Sequence, residues 1–228
     1  AVLGVIAATS AQGPAVPGTG TVVGAITFTD PLPKAEKLLV NQNADICGVT
    51  KVSQAFLVSP KTKGLRNMVL SVEGVANPPE PQQAELHVRI AQQKCMYEPH
   101  VQVARVGTTL EIVNVDPILH NIHTYLEPSK RTIFNIAQPI QNQANKIVLK
   151  DEGLVSVKCD VHNWMSAFIV VTKHSYVAVS DENGLFRIAN VPRGRYKLRA
   201  WHEELGSIDK EVTVVPGMEA RVNFEIGK

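Results

Sequence analysis

Apolar and polar residues alternate along most of the chain, and helical spacing is almost absent, so strands are expected throughout. "TVVGAITF" (21–28) and "LRNMVLSVEG" (65–74) are the early strands. "ANPPEPQQ" (76–83) carries three prolines, which excludes a central strand and marks a linker. Between Ala84 and Thr172 the pattern predicts eight short strands: "AELHVRIAQ", "HVQVARV", "TLEIVNV", "HNIHTYL", "TIFNIAQ", "NKIVLK", "LVSVKC" and "AFIVVT". Their number and spacing suit an all-β sandwich or Greek-key barrel. After His174, "SDENGLFRIANVPRGRYKLRAW" predicts three strands separated by turns at Glu182–Gly184 and Pro192–Gly194, and "KEVTVVPGMEARVNFEI" adds two around Pro216-Gly217. Four or five strands are thin for an independent sandwich. The strands before residue 76 could complete it, making 84–172 a domain inserted between 21–80 and 174–228. Two or three β domains in series is the plainer alternative.

Composition narrows the function classes. Hydrophobic residues make up 44% of the 228 and charged residues 19%, which is globular and not disordered. A net charge of +2, without long basic runs, argues against nucleic acid or an anionic membrane as partner. Residues 1–8 are small and apolar, and Thr9, Ser10 and Ala11 follow. This reads as the remnant of a secretory signal within an N-terminal arm at 1–20, of which 13–20 is a flexible lead-in. The apolar run is too short to span a bilayer. An arm that docks on a partner is the other reading. Export implies a periplasmic or extracellular protein with no transmembrane span.

The candidate chemistry lies in "CDVHNWM" (159–165). Cys159, His162 and Met165 are spaced by three on a loop between two strands, where a thiolate, an imidazole and a thioether can turn toward one point. The sulfur ligands select against Mg, Ca and Mn, and a second histidine would complete the blue-copper set of two His, one Cys and a weak axial Met. "NVDPILHNIHTYL" (114–126) offers His120 and His123. Three apart on a strand, they face opposite ways. His120, at the strand's start, can meet the 159–165 loop and is taken as the ligand. With Cys159 a ligand, an oxidising compartment leaves Cys47 and Cys95 as the disulfide pair. His123, His100 and His202 are read as structural, and Trp164 either packs or forms a rim near the metal. No GxGxxG, P-loop, CxxCH or Ser/His/Asp arrangement is present, so no catalytic residue is nominated and an enzyme is not expected.

"HNIH" together with "CDVHNWM", and the run 97–116 that leads to His120, resemble the cupredoxins of the amicyanin and plastocyanin type. The resemblance covers about 84–172 and implies a Greek-key cupredoxin sandwich holding one mononuclear type 1 copper on His120, Cys159, His162 and Met165. It also implies that Asn121 ties the two ligand segments together by hydrogen bonds. Val157, Lys158, Asp160 and Trp164 depart from the familiar loop. "DENGLFRIANVPRGRYKLRAW" resembles the carboxypeptidase-regulatory-like, transthyretin-like module. With "GAITFTDPLPK", "DICG", "KCMYEPHV" and "AWHEELG", the whole chain resembles secreted bacterial proteins of the methylamine-utilisation type. The resemblance implies single-electron transfer with a transient redox partner, such as a c-type cytochrome or a quinoprotein dehydrogenase. In this reading His162 sits at the loop surface as the electron port and Met165 tunes the potential. The alternatives are a copper-binding or delivery protein, and a structural subunit of an envelope assembly with an incidental or lost site.

Overall fold

The alternating stretches become strands among the described residues, which in this computed structural model are 16–76 and 87–227. Before residue 76 these are β1 (Thr19–Phe28), β2 (Lys37–Leu39), the one-turn helix α1 (Ala44–Cys47), β3 (Thr50–Val52) and β4 (Val69–Glu73). The middle of the chain forms β5 (His87–Gln93), β6 (Met96–Glu98), β7 (Val101–Arg105), β8 (Thr109–Asn114), β9 (His120–Leu126), β10 (Arg131–Gln138), β11 (Ala144–Val148), β12 (Gly153–Lys158) and β13 (Ser166–Thr172). The last part forms β14 (Val177–Val179), β15 (Leu185–Pro192), β16 (Gly194–His202), β17 (Gly206–Val214), β18 (Glu219–Arg221) and β19 (Phe224–Ile226).

These strands build two pairs of sheets, each around its own apolar core. In one pair, β1 lies between β15 and β18 and also pairs with β19, while the facing sheet runs β14-β4-β16-β17. Val22, Ile26, Leu70, Phe186, Ile188, Leu198 and Phe224 fill the space between them. The other pair comes from the middle of the chain, with sheets β10-β9-β12-β13-β7 and β11-β8-β5-β6. Ile90, Leu110, Ile112, Ile122, Val155, Ile169 and Val171 form its core, and Cys159, Trp164 and Met165 lie at the same core.

Several expectations need correction. β1 begins at Thr19, inside the expected lead-in, because Thr19 and Gly20 pair with Pro192 and Val191 of β15. "LRNM" is not strand: Asn67 takes a left-handed φ of 66° and turns the chain before β4. The expected signal remnant and most of the 76–83 linker fall outside the described residues. Residues 37–52, grouped in sequence with the outer module, instead pack on the metal-side core. Leu38 and Val40 rest against that core, Cys47 is buried in it, and β2 pairs only with β3. We call this segment the strap. No helix among the described residues is long and apolar enough to cross a membrane.

Candidate metal centre

The first histidine is placed by a turn that its own polar residues hold. β8 ends at Asn114, which is fully buried. Its Nδ2 donates to the carbonyls of Ile118 and Gln138, and its Oδ1 accepts from the Asp116 amide. The chain reverses over 115–119 and delivers His120 as the first residue of β9. The other donors come from the loop between β12 and β13. There the Met165 amide donates to the His162 carbonyl (2.9 Å) and the His162 amide points at Cys159 Sγ (3.4 Å). These local bonds fold the loop so that residues 159, 162 and 165 all turn inward.

His120, His162 and Met165 are fully buried and Cys159 is almost so. One donor atom from each of His120, Cys159 and His162 lies within 4.8 Å of the other two. The two histidines present their Nδ1 atoms to each other at 2.9 Å, and Cys159 Sγ lies 3.7 Å from His162 Nδ1. Their far nitrogens are already committed. His120 Nε2–H donates to Asp116 Oδ2 (3.0 Å), and His162 Nε2–H donates to Asn43 Oδ1 (3.0 Å). Both imidazoles therefore turn a lone pair toward the same spot, which only a proton or a metal ion can satisfy. In a tetrahedral site two imidazole nitrogens on one ion at about 2.0–2.1 Å sit about 3.3 Å apart, and a thiolate at about 2.3 Å lies about 3.5 Å from either. The observed spacings fit a common ion. The thiolate and the thioether select a soft or borderline one, copper or zinc, over Mg, Ca or Mn.

The electrostatics favour a ligand-ready sulfur. Burial pushes the Cys159 thiol up, but hydrogen bonds from His120, His162 and nearby amides outweigh it and bring its pKa down to about 6, the histidine bond being made in the metal-free site by a proton held at the shared Nδ1 spot. Burial opposes charge on His120, yet its bonds to Asp116 and Cys159 raise its pKa above the ordinary value. Burial would also raise Asp116; its bonds from His120 and from the Cys95 and Lys94 amides hold it below the usual carboxylate range.

Around the donors, Asn121 joins the two segments. Its Oδ1 accepts from the Asp160 amide (2.6 Å) and its Nδ2 donates to Asp160 Oδ2 (3.0 Å) and Asn135 Oδ1 (2.7 Å). The Tyr97 hydroxyl donates to the Asn121 carbonyl (2.5 Å), with the Lys158 carbonyl also within reach at 3.1 Å, and so braces both segments. His123 turns the other way, to Asp160 and Thr132. Cys47 and Cys95 form a disulfide.

One expectation fails here. His162 is not at the surface: the strap covers its outer edge through Asn43. Of the two readings of Trp164, packing and an exposed rim, packing is the one observed. The side chain is buried, its Nε1–H donates to the Cys95 carbonyl (3.0 Å), and its ring lies 5.0 Å from that of His162. Sequence reasoning missed Asn43, Asp116 and Tyr97. Asp116, four residues before His120, carried a signal in its spacing. Asn43, 119 residues from His162, carried none.

Residues 165–227 match the model of the Carboxypeptidase regulatory-like domain. The first eight of these, Met165–Thr172, lie at the metal-side core. No curated protein matches the chain. Among solved structures, a purple cupredoxin from Nitrosopumilus maritimus is similar at 23% identity and a TM-score of 0.33, over 37% of this chain and 98% of that one. A Cu(I) amicyanin mutant is similar at 18% identity and a TM-score of 0.34, over 45% and 97%. An oxidised amicyanin mutant is similar at 19% identity with the same TM-score and coverage.

Proposed function

We propose that this protein holds one mononuclear copper ion on His120, Cys159, His162 and Met165 and passes single electrons between redox partners. The observation that carries the reading is the pair of Nδ1 lone pairs converging on one point beside a thiol poised to ionise. Bound there, copper supplies a one-electron couple. His120 and His162 orient through their Nε2 bonds, Cys159 offers thiolate at neutral pH, and Met165 contributes a thioether from within the core. Hydrogen bonds that close the loop and tie it to Asn121 keep the donors from rearranging between charge states. Burial of all four donors excludes water and favours electron transfer over delivery of the ion to an acceptor. The Cys47–Cys95 disulfide fits an exported, oxidising compartment. A c-type cytochrome or a quinoprotein dehydrogenase, met transiently, fits such a carrier. An enzymatic role is not proposed.

Titrating the metal-free protein with Cu(II) tests this. One equivalent should bring a strong visible thiolate-to-copper band and a reversible one-electron wave, and Cys159→Ser should lose the band. A colourless protein that takes zinc in preference, or bound copper without reversible reduction, would overturn the reading.

A further inference from the structure

The strap reaches the metal centre at both histidines by way of one disulfide. On the Cys47 side, the Asn43 carbonyl accepts from the amides of Ile46 (3.0 Å) and Cys47 (2.8 Å), and Asn43 itself takes a left-handed φ of 50°. The side chain that meets His162 Nε2 is thus fixed by a single hydrogen-bonded turn ending at the disulfide. On the Cys95 side, the Lys94 and Cys95 amides donate to the Asp116 carboxylate at 2.8 and 2.7 Å, and that carboxylate accepts from His120 Nε2. The Cys95 carbonyl holds the Trp164 indole against His162. Leu38 and Val40 seat the strap on the core. His162 is fully buried, although Asn43, which lies on it, is exposed.

We propose that residues 37–52 are a cover over the metal site latched by Cys47–Cys95, and that Asn43 is the positioning residue the latch delivers to His162. The closed cover shields the His162 edge and the Cys159 sulfur from small reagents and slows exchange of a bound ion. The ion rests on the copper reading above, but the cover does not, because it closes over the metal-free thiol equally.

The test uses the full chain in two states. In the metal-free protein at pH 8, Cys159 alkylation by iodoacetamide is timed for the wild type, Asn43→Ala, Asn43→Asp and Cys47→Ser/Cys95→Ser. Loss of one hydrogen bond should speed alkylation by up to about tenfold in Asn43→Ala. Loss of the latch should speed it by at least about a hundredfold. Asn43→Asp keeps an acceptor for His162 and should stay near the wild-type rate. In the Cu(I)-loaded protein, the slowly exchanging His162 Nε2–H proton resonance should persist in Asn43→Asp and vanish in Asn43→Ala, a change that mere loosening of the strap would not single out. Copper release to a chelator should accelerate in the same order as alkylation. Alkylation rates unchanged in folded Asn43→Ala and in the double variant would overturn the cover. Accelerated alkylation in a protein that takes up no copper would uphold the cover and overturn the copper reading alone.

Discussion

Cys159 is readied for a metal ion by what bonds to it more than by where it sits. Burial alone would keep the thiol protonated, and the hydrogen bonds of His120 and His162 bring its pKa down to about 6 from 9.0. The metal-free protein should therefore develop thiolate absorbance near 240 nm with a midpoint close to pH 6. His120→Ala should move that midpoint upward, and a midpoint near 9 in the wild type would contradict the geometry. The sign of the linked stability follows. A folded-state pKa depressed below the unfolded value gives stability fully present above about pH 9 and lost as the pH falls toward 6. Sequence spacing reached four buried donors because Cys159, His162 and Met165 share a loop and His120 starts a strand. It could not reach the groups that aim them. Asp116 draws its amide partners from residues 94–95, and Asn43 meets His162 across a sequence distance that no local pattern records.

At the scale of elements, alternation was a good guide to the longer strands between 84 and 172, but it missed β6, whose three residues bury only Tyr97 and are too few to show a period. The expected strand at 120–126 is β9, and those at 109–115 and 167–172 differ from β8 and β13 by one residue at an end. The strap escaped the same reading because its two strands are three residues long and carry apolar side chains outward. Leu39 of β2 is 78% and Val52 of β3 53% exposed. The disulfide, the Asn43–His162 hydrogen bond and the contacts of Leu38 and Val40 hold it, and none of these leaves a periodic trace. Turns were read well from their chemistry, and Gly184 gives the sharpest case. It takes φ +75°, and a Cβ there would come within 2.4 Å of the Ile26 carbonyl and 2.7 Å of the Gly64 Cα. Both are backbone atoms that cannot swing aside, and the Ile26 amide donates to the Gly184 carbonyl at the same crossing. Gly184→Ala should cost about 1–3 kcal/mol, seen as a lowered urea midpoint, and should leave Cu(II) uptake by the metal-free protein unchanged. An unaltered midpoint would mean that β1 and the β14–β15 turn can separate without loss.

The whole molecule is two cores on one chain, and the way they meet decides whether they unfold together. Strands from both ends of the chain build one core and the middle builds the other, so the two are linked covalently on more than one side. Side chains join them as well. His100, buried at the start of β7, donates from Nδ1 to the Ser166 carbonyl (3.0 Å) and meets the Glu203 carboxylate with Nε2. Its ring packs edge-on against Phe168, which packs in turn against Trp201 of β16 at 5.4 Å. Two of these contacts, His100–Glu203 and Phe168–Trp201, pair a residue near the metal loop with one from the 201–203 corner of the other core. A buried imidazole left without its carboxylate costs about 1–3 kcal/mol, enough to uncouple units of ordinary stability. Glu203→Ala should therefore turn a single calorimetric transition into two, the earlier one belonging to the core without the disulfide. Copper should raise only the later transition, because an ion stabilises the unit that binds it. If Glu203→Ala keeps one transition, with both cores still responding to copper, the coupling runs through the chain connections and not through His100.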